Sequence, residues 1–422
     1  MISADLIVRG AGQVITCTGT NGGDAALAPV EGGAVAARSG TIVWVGPEAR
    51  LDAEVRPLEG AVVIDAEGGL VAPGYVDAHT HVVFAGDRAR EFSLRSAGAT
   101  YQELLAAGGG ILATVAATRA AAEEELVALA LPRLARLLSE GVTTCEVKSG
   151  YGLTVEDELK MLRAVRTLRG AQPIDLVGTA LPLHALPPEG AADRSGWIDR
   201  MLAELLPAVA VEGLARFVDV FVEKGAFTAD EARQVARAAE AHGLLVRLHV
   251  DQLTAGGGAE LAAEIAAATA DHLEEISPAG IEAMARAGVA ATLLPISTLY
   301  LKCPRYAPGR ALADAGVRLA LGSNCNPGSA MTESYSLALS LACLGNGLSA
   351  AEAFYAATAG GAAALGFGDR GQIAPGKRAD LVVHGASSVE HLAWHMAASH
   401  ARTVIVAGSV VHEAPHLPAR CG

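Results

Sequence analysis

The sequence predicts an α/β protein: a (β/α)8 TIM-like barrel with a small β-sandwich domain built from both chain ends. Eight apolar, β-branched runs recur through the middle of the chain with helical stretches between them, the pattern of βα units on a parallel sheet. Shorter strand-like runs punctuated by Gly and Pro occupy both ends. Residues able to do chemistry gather just past the apolar runs, on the face where such a barrel carries its active site. With 422 residues and 51% hydrophobic content, the chain has room for one barrel of about 250 residues and a smaller module.

Taken in order, residues 1–62 supply the first part of the sandwich through ADLIVRGAGQVITC, GAVAARSGTIVWVG and GAVVIDAEGG, and hold no titratable cluster. Residues 63–366 form the barrel, with strands read at 70–79, 141–148, 174–184, 217–224, 244–249, 268–272, 289–296 and 317–323. Residues 367–422 return to the sandwich with KRADLVVHGA and ARTVIVAGSVVHE. Between the strands, residues 123–140 place Leu126, Leu129, Leu134, Leu137 and Leu138 on one helical face. TADEARQVARAAEAHG opens on Thr228 as a capping residue and stops at Gly243. The long uncharged runs at 334–351 and 353–368 are interrupted by Asn346 and glycines, and read as buried helices rather than membrane spans.

A formal charge of −14 leaves no basic face for nucleic acid or an anionic membrane, so neither is an expected partner. Six cysteines scattered without CxxC spacing fit reduced thiols and a cytoplasmic location. MISADLIVRG lacks the basic-then-apolar order of a secretory signal.

The chemistry begins in VAPGYVDAHTHVVFAG. If residues 75–80 are extended, His79 and His81 alternate onto one face and can converge on one cation. Arg88 follows. The second run leads into KSGYG with Tyr151, the third ends in His184, and the fourth in Glu223 and Lys224. The fifth closes with His249, Asp251 and Gln252, the sixth with Asp271 and His272, and the eighth with SNCNPGS around Asn324, Asn326 and Ser329. Any one of these histidines is more often a core or loop residue; their shared address is what points to a single metal-centred site.

PGYVDAHTH and GKRADLVV resemble the first-strand signature and a late strand of the amidohydrolase superfamily, metal hydrolases whose barrel is flanked by a sandwich from both chain ends. VFAGDRAREF, GATYQELLAAGGGI, EVKSGYGLTVEDELKMLR, HVDQL, GGAELAAE, ADHLE and NPGS narrow the resemblance, from about residue 5 to residue 413, to the imidazolonepropionase family of histidine degradation. That resemblance implies hydrolysis of 4-imidazolone-5-propanoate to N-formimidoyl-L-glutamate with one bound divalent metal, zinc or iron. It implies His79, His81 and His249 as ligands, with Asn324 in the place of a fourth-ligand aspartate. It puts Arg88, Tyr101, Tyr151, His184, Gln252 and Ser329 around the substrate, and Asn326 and Gly328 near the ring-opened product.

The residues themselves agree in part. The planar fork of Arg88 suits a propanoate carboxylate, with Arg90 as its competitor. Tyr151 between two glycines reads as exposed enough to donate a hydrogen bond, and Gly328 as a place for close backbone approach. An amide at Asn324 can offer its oxygen to a metal but no negative charge and no base. Three neutral imidazoles can nevertheless bring the pKa of a zinc-bound water to about 7. The expected catalytic residues are therefore His272 as proton acceptor and donor, His184 beside the oxyanion, and Gln252, with Asp251 or Glu223 in reserve. Lys224 is noted because some amidohydrolases bridge two metals with a modified lysine at a fourth-strand end, but one metal is preferred here. Another cyclic-amide hydrolase or deaminase of the same superfamily, and a metal-poor non-catalytic homologue, stay open on the sequence. So does the oligomer, for which a homodimer is the candidate.

Overall fold

The computed structural model describes residues 1–19, 23–98 and 109–415. Among these, the central sheet has eight parallel strands in sequence order: β1 (Tyr75–Asp77), β2 (Val142–Lys148), β3 (Asp175–Leu183), β4 (Phe217–Val222), β5 (Leu245–Val250), β6 (Thr269–His272), β7 (Ala290–Leu293) and β8 (Leu319–Leu321). The ring closes where Ala78 N–H donates to Leu321 O at 3.2 Å and Asn324 N–H to His79 O at 3.0 Å. Helices on the outside cover the apolar faces of the strands. In Glu123–Ser139, Leu126, Ala130, Leu134, Leu137 and Leu138 are buried while Leu129 is only partly so, because the inward stripe follows the 3.6-residue turn. Thr228 and Glu231 form a reciprocal capping box at the start of Ala229–Ala241.

The first predicted run, 70–79, is two strands serving two sheets. Leu70–Pro73 pairs with Gln13–Ile15 and with Leu381–His384 in a six-stranded sheet, and the chain enters the barrel only after Gly74. A side chain at Gly74 would collide with Thr143, so the bend depends on glycine there. The predicted seventh run, 289–296, stops at Leu293, because Pro295 cannot donate to a strand ladder and instead opens the helix Pro295–Leu301.

Both chain ends form the smaller module. A four-stranded sheet orders Thr41–Pro47, Gly33–Arg38, Ile2–Arg9 and Val55–Asp65; the last of these runs past residue 62. The six-stranded sheet adds Pro29–Glu31, Ala401–Val406 and Ser409–Glu413. Leu6, Val35 and Ile42 from one sheet pack with Val71, Leu381 and Ile405 from the other, so the sandwich core draws on both termini. The uncharged runs become the buried helix Tyr335–Leu344 and a helical stretch ending in Gly361–Ala364, where a side chain on Gly361 would lie 2.7 Å from Val76 O. No described helix is long and apolar enough to cross a membrane.

Candidate active site

His79 and His81 stand at alternate positions just past the end of β1, both buried, and β5 delivers His249 beside them. Ligand nitrogens of the three lie within 4.8 Å of one another. His79 Nε2 and His81 Nε2 are 3.3 Å apart. Two nitrogens bound at about 2.05 Å to one tetrahedral ion stand about 3.3 Å apart, so the pair is already set for a shared cation. Among the described residues His249 Nε2 is buried without a hydrogen-bond partner, a costly arrangement that an ion would relieve. The donor set therefore fits a divalent ion.

Carboxylates orient these rings from behind. His79 Nδ1 donates to Asp271 Oδ2 at 2.7 Å, and His249 Nδ1 lies 3.1 Å from Asp219 Oδ2. Each ring thereby presents its other nitrogen, Nε2, as a lone pair. Burial, with neighbouring cationic groups, pushes the His79 and His81 pKa values well below the usual imidazole range, so both rings are neutral and able to ligate. Lys148, fully buried at the end of β2, bonds Glu146 Oε1 at 2.7 Å and Asp219 Oδ2 at 2.8 Å. Arg247 bonds Asp271 Oδ2 at 2.9 Å and Ala78 O at 2.8 Å. Burial works against ionising Asp219 and Asp271. The Lys148 ammonium and the His249 ring beside the first, and the Arg247 guanidinium and the His79 Nδ1–H hydrogen bond beside the second, still hold both carboxyls well below their usual range. Three carboxylates stand against two cations in this network, an excess negative charge directed at the imidazoles.

The other predicted residues divide. His272 closes β6 with its ring centroid 5.5 Å from that of His249, on left-handed backbone (φ 83°). His184 stacks on His81 at 5.2 Å, and its Nδ1 faces Gly150 O at 3.0 Å. Burial lowers the pKa of that imidazole to about 3, so it is neutral and donates from Nδ1 to the carbonyl. Tyr151 is buried rather than exposed, its ring 5.8 Å from His81 and 5.3 Å from His184. Gln252 is buried at the end of β5. Tyr101 lies outside the described residues. The reserve carboxylates are engaged elsewhere: Asp251 accepts from the backbone N–H groups of Gly256, Gly258 and Ala259, and Glu223 from those of Lys224, Leu253 and Thr254 and from the Thr254 hydroxyl. Both fix loops. Lys224 is exposed, and so is Arg90.

Arg88 pairs with Glu91 through Nε (2.9 Å) and Nη2, leaving Nη1 against Gly328, where a side chain would collide with it. The loop after β8 is held by Asn326. Its Oδ1 accepts from Gly328 N–H and Ser329 N–H, both at 2.8 Å, which makes Nδ2 the donor end. Nδ2 then donates to Ser329 Oγ at 2.8 Å, Asn324 O at 2.7 Å and Asn324 Oδ1 at 3.1 Å. Asn324 is thereby oriented too, with its Nδ2 the end left without a partner among the described residues.

A cavity of about 410 Å³ opens beside this loop, bordered by Phe84, Arg88, Phe92, Arg133, Tyr300 and Met331, within the size range of small-molecule sites. A larger cleft of about 530 Å³ lies at the opposite ends of the strands, near Leu245. Its Arg233 is spent on Asp230 and Glu264, and it holds none of the residues gathered at the strand C-terminal ends, whereas the first cavity holds Arg88 and borders the loop after β8. The chemistry belongs to the first.

Comparison with known proteins gives the family. The amidohydrolase family model matches residues 89–412. An imidazolonepropionase of Myxococcus xanthus (strain DK1622) is 55% identical over 409 residues, 96% of this chain and 97% of that relative. The chain belongs to the imidazolonepropionase family. Imidazolonepropionases of Anaeromyxobacter dehalogenans (strain 2CP-C) and Geobacillus kaustophilus (strain HTA426) are 54% and 44% identical, over 98% and 96% of this chain and 97% of each relative. Among solved structures, a 5-methylcytosine deaminase from Klebsiella pneumoniae shares the fold with a TM-score of 0.75 at 18% identity, covering 98% of this chain and 99% of that one. An adenosine deaminase from Xanthomonas campestris with bound zinc gives 0.72 at 22%, covering 97% and 93%.

For an imidazolonepropionase, the residues that sequence reading passed over are Glu146, Lys148, Asp219 and Arg247, and Asp271 as an orienting carboxylate. Each sits at an inward position of a barrel strand, in EVK, FVDVFV, VRLHV and TADH. A charged residue alternating with apolar neighbours in a buried strand was the available signal. Glu91 had none, since its role depends on where Arg88 turns.

Proposed function

We propose that this imidazolonepropionase relative hydrolyses the cyclic C–N bond of 4-imidazolone-5-propanoate to give N-formimidoyl-L-glutamate. The convergence of His79, His81 and His249, backed by Asp271 and Asp219, carries the reading. A divalent ion, zinc or iron, held by these imidazoles supplies Lewis-acid activation of water and of the ring carbonyl.

The chain's own residues do the rest. His272 takes a proton from the attacking water at Nε2, since its Nδ1 is turned toward Glu274 at 3.7 Å, and returns it to the leaving ring nitrogen. Arg88 anchors the propanoate through Nη1, while Glu91 keeps the guanidinium plane fixed. His184, donating to Gly150, has only a lone pair at Nε2, so it accepts from a ring N–H instead of stabilising the oxyanion. Tyr151, beside His81 and His184, and Gln252, just past β5, offer donors to the substrate. Asn324, its oxygen engaged by Asn326, turns an N–H toward the site, and three imidazoles suffice as protein ligands. Five free cysteines among the described residues support a cytoplasmic location.

The test is loss of imidazolone ultraviolet absorbance on adding metal-loaded protein, with formimidoylglutamate recovered as product. Unchanged absorbance with the metal bound would rule the substrate out.

A further inference from the structure

We propose that His391, His395 and His400 form a second metal site, for a late first-row divalent cation such as zinc, nickel or copper, which closes the loop between the helix Val389–Trp394 and the strand Ala401–Val406. Their ligand nitrogens lie within 4.8 Å of one another, and none belongs to the barrel mouth. His391 and His395 are one turn apart at the end of the helix Val389–Trp394, and so share a face. His400 returns to them from the loop preceding the strand Ala401–Val406. His395 Nδ1 and His400 Nε2 are 3.0 Å apart, and the ring centroids of His391 and His400 are 5.1 Å apart.

The donor set selects the ion. Three imidazoles without an oxygen ligand suit zinc, nickel or copper and disfavour calcium and magnesium, which need oxygen shells. His395 is exposed and the other two are half-buried, so a hydrated ion can reach them and keep water in its remaining positions. The segment is also anchored on both sides. Ser340 Oγ donates to Ala393 O at 2.7 Å and Ser399 Oγ to Ser139 O at 2.9 Å, tying both sides of the histidine cluster to helices of the barrel. A cation joining His391 and His395 to His400 closes the short loop between those two ties, which restricts the alternatives open to the free chain.

The competing explanation for the 3.0 Å approach is an imidazole–imidazole hydrogen bond that needs no metal. Trp394 separates the two. It is 76% exposed, with its ring 5.6 Å from His391 and 6.1 Å from His395, while Trp44 and Trp197 are buried. The full chain, stripped of metal, is titrated with zinc and with copper, following bound metal by equilibrium dialysis and tryptophan fluorescence. Two equivalents of zinc are expected for the wild type, and one for His395→Ala and for His400→Ala, with imidazolone hydrolysis within about twofold of wild type in both. Copper is expected to quench the wild-type emission at the second equivalent and not to do so in His395→Ala. A single equivalent in the wild type, or a second equivalent kept by both variants, overturns the proposal. So does a lowered Tm in the variants with metal stoichiometry unchanged, the result a hydrogen bond predicts.

Discussion

Replacing Asp271 by Asn tests whether the orienting carboxylates, and not the imidazoles alone, hold the metal. Asp271 Oδ2 takes His79 Nδ1 at 2.7 Å and Arg247 Nη2 at 2.9 Å, with Lys148 Nζ at 3.7 Å, all fully buried. The amide keeps an acceptor for His79 Nδ1–H, so the tautomer survives and what is lost is charge. That charge is the excess of Glu146, Asp219 and Asp271 over Lys148 and Arg247, and removing it leaves a neutral surround facing a dication. Removing a partner of this kind costs about 10–100-fold in metal affinity, or about 1.4–2.7 kcal/mol. Asp271→Asn is expected to fall within that range, as measured by competition with a chromophoric chelator. Asp271→Ala also loses the acceptor and strands Arg247, and is expected to lose a further ~3–5 kcal/mol of folding stability by thermal unfolding. An Asn variant that binds metal as tightly as wild type would refute the reasoning, since Asp271 would then be neutralising Arg247 and nothing more.

Asn324→Asp should tighten metal binding, because one carboxylate oxygen can remain with Asn326 Nδ2 while the other brings charge to the ion; unchanged affinity would place residue 324 away from it. His272→Ala should lower kcat by about 10²–10⁴-fold with metal content unchanged by elemental analysis, and near-normal turnover would remove His272 from proton transfer. Gly328→Ala should push Arg88 off its position and raise KM with little change in bound metal. Arg88→Lys, which loses the fork, should do the same by about tenfold or more in kcat/KM; an effect on kcat with KM constant would place Arg88 outside substrate anchoring.

Much of this was legible in one dimension because it follows from local periodicity. His79 and His81 stand two residues apart just past a strand end, although the strand itself stops at Asp77, the Thr228 cap faces Glu231 because a helix turns in 3.6 residues, and eight β-branched runs separated by helices leave few folds other than a barrel. The 70–79 run was misread for the same reason: apolarity marks burial, and two different sheets bury their strands equally well. What only the tertiary structure decided concerns pairs brought together from distant strands. Asp271 reaching His79, Asn326 setting the orientation of Asn324, Glu91 occupying Arg88 and His400 returning to His391 all depend on direction and distance in space. Sequence spacing carries neither once the chain has turned a corner. Asp251 and Glu223 make the same point from the other side: a carboxylate at a strand end looks catalytic until the backbone N–H groups it satisfies are in view.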